Sequence, residues 1–321
     1  MSDAPVNSDI ALPFDSLPVI PTAPAGFRSG FVGIIGRPNV GKSTLMNHLV
    51  GQKIAITSPI AQTTRNRLRG ILTTPEAQFI FVDTPGIHKP HHELGKVLVQ
   101  NARIAIDSVD VLVFVVDGTA EAGGGDRFVA QLLEKTETPV LLGINKADVQ
   151  PDDRPDIDES YRAIAADHDW PVVKFSAVEG TGLDELQTRL MEYLEEGPYY
   201  YPPDLVTDQP ERFIMAELIR EQILRLTREE VPHSVAIAID RVDERPDITH
   251  VMATVHVERS SQKGILIGRG GSMLKDIGTA AREQIQKLLM GKVYLELFVK
   301  VQPKWRHSRL HLADLGYRVE K

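Results

Sequence analysis

The stretch Gly36-Arg37-Pro38-Asn39-Val40-Gly41-Lys42-Ser43 decides the fold of this chain. It matches the pattern G-x-x-x-x-G-K-[ST], follows the apolar run Phe31–Ile35 and precedes a helical pattern over Ser43–Leu49. In that context glycines let successive backbone N–H groups surround phosphates, and the helix N-terminus adds positive charge. We therefore predict a phosphate-binding loop, in which Lys42 reaches the β- and γ-phosphates and Ser43 ligates Mg²⁺. The alternative is an ordinary strand-to-helix turn.

Apolar runs around this loop alternate with helical patterns. After Phe31–Ile35 the runs are Phe79–Val82, Val111–Val116, Pro139–Ile144 and Val172–Phe175. Such alternation predicts an α/β domain, a mostly parallel sheet with helices on both faces. We place this domain at residues 27–197. Residues 1–26 contain five prolines and few large apolar side chains, which predicts a flexible extension.

The motif Asn145-Lys146-Ala147-Asp148 selects the base of the ligand. It ends the run Pro139–Ile144. The Asp148 carboxylate can accept hydrogen bonds from the N1–H and 2-amino groups of guanine, which adenine lacks. A site of this kind can discriminate on the order of 10⁴-fold. Lys146 is predicted to cover the base plane, and Asn145 to tie this loop to the phosphate loop.

The motif Asp83-Thr84-Pro85-Gly86 predicts a switch that senses the γ-phosphate. Asp83 would hold Mg²⁺ through water, and the Gly86 N–H would bond the γ-phosphate and lose that bond on hydrolysis. Upstream, Gln62-Thr63-Thr64-Arg65 offers one threonine for the Mg²⁺ shell. We favour Thr64, with Thr63 as the alternative.

Ile87 stands where Ras-like enzymes carry a glutamine that orients the attacking water. The isoleucine side chain can neither donate nor accept a hydrogen bond. We therefore assign the orientation of the attacking water to the Thr64 carbonyl and the Gly86 N–H. The nearby histidines form either a metal site or a solvated segment, and we favour the segment. They are His88, His91 and His92.

A second domain begins after a linker. The run Gly197–Pro203 cannot continue a helix, and we place the linker at residues 198–209. An α-β-β-α-α-β order follows. Its predicted parts are a helix with Met215, Ile219, Ile223 and Leu226 on one face and its end at Pro232, strands Val235–Ile239 and His250–Val257, a helical region Leu266–Leu289 broken near Gly278, and a strand Val293–Val301.

Residues 266–277 combine an apolar pair, G-x-x-G and an apolar helix face, which resembles a KH module. Its glycines let backbone approach nucleic-acid phosphates, beside a groove for about four single-stranded nucleotides. The alternative is a plain helix start. We predict an α+β KH domain of the second type at residues 210–321. Its predicted RNA-binding residues are Lys263, Ile267, Gly268, Arg269, Gly270, Gly271 and Lys275.

Charge and composition agree with a nucleic-acid partner only locally. The net charge is −8, but residues 260–321 hold twelve Lys+Arg against five Asp+Glu, a local balance of +7. A basic end on an acidic chain indicates a module for an anionic partner, with chance clustering as the alternative. Trp305, Arg306, His307 and Arg309 either contact RNA or cover the end of the core.

Several classes are excluded. Without cysteine there is no disulfide framework, thiol nucleophile or cysteine metal site. No apolar run has the length of a membrane span. The N-terminus lacks a basic region followed by an apolar core, so we expect no secretory signal.

The motifs G-R-P-N-V-G-K-S-T, Q-T-T-R, D-T-P-G and N-K-x-D, followed by a KH domain, resemble the bacterial Era family of GTPases over about residues 28–321. The resemblance implies Mg²⁺-dependent hydrolysis of GTP to GDP and phosphate. It also implies binding to the 3′ end of 16S rRNA, a role in 30S subunit maturation, and a monomer in the cytoplasm that associates peripherally with the inner membrane. Residues 1–26 have no counterpart in most members, and Gly123–Gly125 is unusually glycine-rich.

The resemblance also implies residue roles. Ser176-Ala177 would give a backbone N–H to guanine O6. GTPases that share Asn39 use a bound K⁺ where others use an arginine finger, so we expect slow basal turnover that K⁺ accelerates. Catalytic roles fall to Thr64, Gly86, Lys42 and Asn39. The predicted GTP-binding residues are Gly36, Arg37, Pro38, Asn39, Val40, Gly41, Lys42, Ser43, Thr44, Asp83, Thr84, Pro85, Gly86, Ile87, Asn145, Lys146, Asp148, Ser176 and Ala177.

Two other functions stay open at this point. The chain could be an RNA chaperone or scaffold that uses GTP only as a structural ligand, in which case it would release no phosphate. It could also be the same enzyme acting on transfer RNA or messenger RNA.

Overall fold

A computed structural model of the chain describes residues 20–58, 64–65, 67–87 and 93–317. Most of the predicted extension, the alternative Mg²⁺ ligand Thr63 and the three histidines His88, His91 and His92 therefore lie outside the described residues. In the described part, no helix has both the length and the apolar character needed to cross a membrane.

The first domain is built on a six-stranded sheet in the order β2-β3-β1-β4-β5-β6. All neighbouring strands are parallel except the pair β2–β3. Buried apolar side chains form one cluster on each face, beneath the helices. The strands are β1 (Arg28–Ile35), β2 (Leu68–Thr73), β3 (Ala77–Asp83), β4 (Val111–Asp117), β5 (Val140–Asn145) and β6 (Val172–Lys174). The helices are α1 (Lys42–Val50), α2 (Glu93–Ile106), α3 (Gly124–Leu133), α4 (Pro155–Ala166) and α5 (Leu183–Met191).

This topology gathers the functional motifs at one edge of the sheet. The apolar runs of β1, β3, β4 and β5 are buried on both faces, as parallel strands require. Since parallel strands end at the same edge, the residues that follow them converge there. The sequence prediction missed β2, an antiparallel edge strand whose half-buried residues and Gly70 carry no clear strand pattern.

The second domain has a three-stranded sheet in the order β7-β8-β9, with β7–β8 antiparallel and β8–β9 parallel. The α-β-β-α-α-β order is as predicted, with one short extra helix near the start and another after the last strand. The elements are α6 (Glu211–Leu226), α7 (Val231–Ser234), β7 (Ala236–Glu244), β8 (Thr249–Val257), α8 (Ser260–Ile267), α9 (Ser272–Leu289), β9 (Val293–Val301) and α10 (Arg309–Asp314).

Three predicted helix limits in this domain were wrong. The helical region begins with α8 at Ser260, six residues before its predicted start at Leu266. The break near Gly278 does not exist, because α9 runs through that glycine. A Cβ added at Gly278 would lie 3.6 Å from Leu297 Cδ1, an ordinary contact distance. The chain breaks instead at Gly268–Gly271, where three glycines have positive φ. The helix α6 does not reach Pro232 but ends six residues earlier, and Pro232 lies in the first turn of α7, where proline is tolerated.

The connection between the domains packs along the first domain. Tyr199 and Tyr200 contact the rings of Phe27 and Phe31, with centroids 4.4 and 5.4 Å apart. The Gln78 side-chain oxygen accepts the backbone N–H of Tyr200 at 2.8 Å. These contacts hold the connection against the start of β1 and against β3, so the connection is packed on the first domain.

Candidate functional site

The phosphate loop joins β1 to α1 in a backbone shape that needs glycine. Gly41 precedes α1 with φ of 99°, and a Cβ there would lie 2.3 Å from Asn145 Nδ2. Asn39 is also left-handed, with φ of 66°. This conformation is costly for most side chains and less so for asparagine. The loop therefore has the close backbone curvature that the motif predicts.

Lys42 lies over this loop. Its side chain is almost fully buried, and its ammonium donates to the carbonyl oxygens of Gly36 at 3.2 Å and Arg37 at 2.9 Å. Burial lowers the pKa of Lys42 to about 8, against the attraction of the Asp83 carboxylate. An anion such as a phosphate beside this ammonium would favour its charged form.

Three oxygen-bearing side chains meet next to Lys42. Ser43 Oγ lies 2.7 Å from Asp83 Oδ2 and 2.9 Å from Thr64 Oγ1, which lies 3.0 Å from the same carboxylate oxygen. Burial raises the pKa of Asp83, while Lys42 and the two hydroxyls oppose that rise. The other carboxylate oxygen, Oδ1, is buried and has no hydrogen-bond partner among the described residues. Hard oxygen ligands with an unsatisfied carboxylate oxygen fit Mg²⁺.

Asn145 joins the base-selecting loop to its surroundings. Its Nδ2 donates to the Val40 carbonyl at 2.8 Å, as predicted, and its Oδ1 accepts the Ala177 N–H at 2.9 Å. The resemblance assigns a backbone N–H of Ser176-Ala177 to guanine O6, and both are engaged within the protein, since the Ser176 N–H donates to the Thr181 carbonyl at 2.9 Å. Asp148 is exposed and accepts the Ser176 hydroxyl at 2.6 Å. The carboxylate is oriented yet open to solvent, as base recognition requires.

Asp117 is a site residue that the sequence analysis missed. It ends β4 at the same edge as the other motifs, and its carboxylate pairs with Lys146 at 2.6 Å. Partial burial raises the pKa of Asp117, but the hydrogen bonds from Lys146 and Thr119 outweigh it, so the pKa lies below its usual value. The ion pair fixes the lysine predicted to cover the base. An acidic residue closing an apolar parallel strand was the signal that could have found it.

The switch motif after β3 packs tightly against the phosphate loop. The Thr84 hydroxyl donates to the Ile34 carbonyl at 2.9 Å. A Cβ on Gly86 would lie 2.8 Å from the backbone nitrogen of Pro38, so the two loops touch through glycine. Ile87 is buried in the core between the sheet and α2. Its side chain therefore faces away from the phosphate loop.

These loops enclose a cleft of about 470 Å³. The predicted residues that line it are Pro38, Asn39, Gly41, Lys42, Ser43, Thr44, Thr64, Gly86 and Lys146. The predicted residues that do not are Gly36, Arg37, Val40, Asp83, Thr84, Pro85, Ile87, Asn145, Asp148, Ser176 and Ala177. In this second group, Asp83 bonds the lining residues Ser43 and Thr64, whereas the Arg37 side chain pairs with Asp126 at 2.7 Å.

Four further residues line the cleft and were not predicted. Ile56, Thr57 and Ser58 come from the segment after α1, and Arg225 comes from α6 in the second domain. No motif marks them. Arg225 in particular reaches the cleft only because the two domains pack together, which local sequence patterns do not report.

The G-x-x-G segment borders a groove of about 320 Å³ in the second domain. Of the predicted RNA-binding residues, Gly271 and Lys275 line it, whereas Lys263, Ile267, Gly268, Arg269 and Gly270 do not. The other lining residues are Leu274, Gly278, Thr279, Arg282, Tyr294, Leu295 and Leu297. Arg282 could have been found, because it follows Lys275 by seven residues on the same helix face.

The sequence left open whether the basic C-terminal residues contact RNA or cover the end of the core, and the structure differs from one residue to the next. Trp305 is fully buried and donates its indole N–H to the Ser234 carbonyl at 2.9 Å, so it covers the core and cannot stack on RNA. The Arg306 guanidinium pairs with Glu258. Arg309 and His307 are exposed.

Family profiles match both domains. Residues 31–146 match a profile described as a 50S ribosome-binding GTPase, and residues 230–306 match the KH domain. These ranges contain the nucleotide cleft up to Lys146 and the G-x-x-G groove.

Similarity to characterised relatives extends over nearly the whole chain. A GTPase Era from Nostoc sp. is 76% identical over 302 residues, which is 94% of this chain and 93% of that protein. The crystal structure of an Aquifex aeolicus Era variant bound to GDP·AlF4⁻ is 38% identical, with a TM-score of 0.86 over 91% of this chain and 99% of the other. An Era complex with MgGDPNP and nucleotides 1506–1542 of 16S ribosomal RNA is 39% identical, with a TM-score of 0.87 over the same shares. The chain therefore belongs to the Era family of GTPases.

Proposed function

We propose that this GTPase is a ribosome-assembly factor that binds the 3′ end of 16S rRNA through its KH domain and assists maturation of the 30S subunit. The observation that carries the proposal is the groove beside Gly271, in which Lys275 and Arg282 flank an apolar floor. The +7 balance of residues 260–321 favours an anionic partner. The related Era structure with a 16S rRNA fragment supports this choice of RNA.

In the nucleotide cleft we propose the following roles. Backbone groups of residues 36–44 and Lys42 hold the phosphates, Gly86 senses the γ-phosphate, and Asp148 reads guanine. Ser43 and Thr64 would ligate Mg²⁺, with Asp83 acting through water. Mg²⁺ held by these residues would supply positive charge against the charge that develops on the phosphate oxygens. The clustered oxygens and the unsatisfied Asp83 Oδ1 support this assignment.

We further propose that K⁺ stimulates turnover beside Asn39, whose left-handed backbone holds it at the rim of the cleft. An arginine finger supplies roughly 10³–10⁵ in rate, which sets the upper scale for a cation in that role. Hydrolysis rates in K⁺ and Na⁺ buffers of equal ionic strength test this. Equal rates would refute the role of K⁺.

The test of the ribosomal target is RNA cross-linking in cell extract, mapped by sequencing, with a non-hydrolysable GTP analogue or GDP. Enrichment at the 3′ end of 16S rRNA is expected, strongest with the analogue. A Lys275→Glu/Arg282→Glu variant should lose it, whereas Lys292→Glu, an exposed change of the same sign outside the groove, should keep it.

The other outcomes identify what fails. Equal enrichment with both nucleotides would keep the target and refute control by the nucleotide. Enrichment on 23S rRNA would favour the large subunit named in the broader family description. Enrichment on transfer or messenger RNA would refute the ribosomal role.

The remaining features are proposals as well. They are a monomer in the cytoplasm with peripheral association with the inner membrane, and domain limits at residues 1–26, 27–197, 198–209 and 210–321. Sedimentation tests the monomeric state, sedimentation with and without inner-membrane vesicles tests the membrane association, and limited proteolysis tests the domain limits.

A further inference from the structure

The segment that carries Thr64 is held by the second domain. The next residue, Arg65, is fully buried, and its guanidinium enters a ring of backbone carbonyls. One terminal nitrogen donates to Val235 O at 2.5 Å, and the other to Pro232 O at 3.2 Å and His233 O at 3.4 Å. Thr64, which lines the nucleotide cleft, is thus directly followed by Arg65, which is bound within the second domain.

The surroundings of Arg65 make this contact specific for arginine. Its Cζ lies 5.9 Å from the ring centroids of both Trp305 and Tyr317. The planar guanidinium presents a fixed fork of donors and interacts favourably with aromatic faces. A lysine would keep the charge but could not reproduce the fork. The contact therefore defines both the position and the direction of the chain at this point.

A second contact with the second domain holds the chain before Thr64, at Thr57. Glu221 in α6 is fully buried, and its Oε1 accepts the Thr57 N–H at 3.0 Å. Its Oε2 pairs with Lys53 at 2.5 Å. Arg225, one turn further along α6, bonds Glu221 at 3.3 Å and lines the nucleotide cleft. The second domain therefore fixes the chain at Thr57 and at Arg65.

We propose that Arg65 and Glu221 are positioning residues for GTP hydrolysis, because contacts with the second domain hold the chain at Arg65, directly after Thr64, and at Thr57, before it, while Thr64 meets Ser43 and Asp83. Residues that orient metal ligands without touching the metal typically alter metal affinity or activity by about 10–100-fold when mutated. The inference rests on the proposed role of Thr64 as an Mg²⁺ ligand.

A purely structural interface would behave differently. If Arg65 only stabilised the domain contact, its loss would affect all properties of the first domain alike. If it positions Thr64, the loss affects Mg²⁺-dependent hydrolysis while GDP binding through Lys42 and Asp148 is retained. The Mg²⁺ concentration at half-maximal rate separates the two cases.

The experiment uses the full chain carrying Arg65→Lys, with Arg69→Lys as the matched control. Arg69 also bridges to the inter-domain connection, at 2.6 Å from Asp208, but it does not line the nucleotide cleft. For Arg65→Lys we expect kcat to fall, or the Mg²⁺ half-saturation to rise, by about 10–100-fold with GDP affinity unchanged. For Arg69→Lys we expect both to remain within about twofold, as for a partly exposed ion pair.

Glu221 gives an independent comparison if the arginine variant folds poorly. Glu221→Gln keeps an acceptor for the Thr57 N–H but sets amide donors against the Lys53 ammonium, so it should lose part of the activity, whereas Glu221→Ala should lose more. Unchanged kcat and Mg²⁺ dependence in both Arg65→Lys and Glu221→Ala would overturn the inference. A parallel loss of GDP affinity would also overturn it, because it would indicate general damage.

Thr64→Ala in the same assay tests the underlying assignment. Normal hydrolysis at every Mg²⁺ concentration would refute the role of Thr64 itself. Impaired hydrolysis in Thr64→Ala with normal Arg65→Lys and Glu221→Ala would refute only the positioning from the second domain.

Discussion

The nucleotide cleft and the domain interface are built in opposite ways. In the cleft, each function is carried by a short motif whose residues are neighbours in sequence and lie at the end of a strand. At the interface, partners are far apart in the chain: Arg65 meets Val235, and Glu221 meets Thr57. Local chemistry can therefore be deduced from sequence, whereas coupling between sites depends on packing that only the structure reveals.

The largest effect is expected in the base-selecting motif, from Asp148→Asn. The amide removes one carboxylate oxygen that accepts from guanine and places a donor where xanthine has a carbonyl. We expect preference for GTP over xanthosine triphosphate to fall on the order of 10⁴-fold, with little change in stability. Competition binding measures it.

Asp158→Asn is the matched control, because Asp158 carries the same group in an ion pair with Lys174, outside the base-selecting motif. It should leave base preference unchanged. If Asp148→Asn kept its preference for GTP, base selection would not be local to this motif, and the contrast between cleft and interface would fail.

At the interface, the largest expected effect is on stability. Trp305 stacks at 5.8 Å on Tyr317 and packs in one buried cluster with Leu94 and Leu98 of α2. Trp305→Ala should lower the free energy of unfolding by about 3–5 kcal/mol. Urea unfolding measures this, and Trp170 remains as a fluorescent reporter of the first domain.

Trp305→Phe retains a ring and should lose less. A loss below about 1 kcal/mol for Trp305→Ala would mean that the cluster contributes little, since that is the scale of surface changes. The interface would then be too weak to position Thr64.

A smaller effect is expected at the G-x-x-G segment. Gly268 has φ of 73° and ψ of 176°, a region open almost only to glycine, and a Cβ there would lie 2.8 Å from the Met273 nitrogen. Gly268→Ala should strain the segment by about 1–3 kcal/mol and weaken RNA binding about tenfold. Fluorescence anisotropy with a single-stranded RNA measures this.

Gly270→Ala is the matched comparison. Gly270 also has a positive φ, of 61°, but among the described residues other than its chain neighbours no atom would lie within 4 Å of an added Cβ. It should cost only about 1 kcal/mol. Equal effects at both positions would show that close approach at Gly268 does not matter for RNA.

Most of the fold could be predicted because its signals are local. The buried parallel strands, the motifs at their ends and the α-β-β-α-α-β order all follow from residues close in sequence. The break assigned to Gly278 was wrong because a single glycine on a packed helix is tolerated, while Gly268, Gly270 and Gly271 adopt positive φ together. The edge strand β2 was missed because its burial is mixed.

The rest of the site could not be predicted for a different reason. Arg225 lines the cleft, and Arg65 binds carbonyls of the second domain, only because the two domains are in contact. The spacing of residues in the sequence does not encode such contacts. The buried Trp305 shows the same limit, since its basic neighbours indicated RNA as readily as core. Asp117 was within reach, because it closes a strand like the other site residues.

The most direct test of the account is the affinity of the full chain for a single-stranded RNA with the sequence of the 16S rRNA 3′ end, measured with a non-hydrolysable GTP analogue and with GDP. Because coupling between sites is reciprocal and typically about 5–150-fold, we expect tighter RNA binding with the analogue by a factor in that range, reduced in Arg65→Lys. Equal affinities in the two nucleotide states would contradict the proposal that the bound nucleotide controls RNA binding.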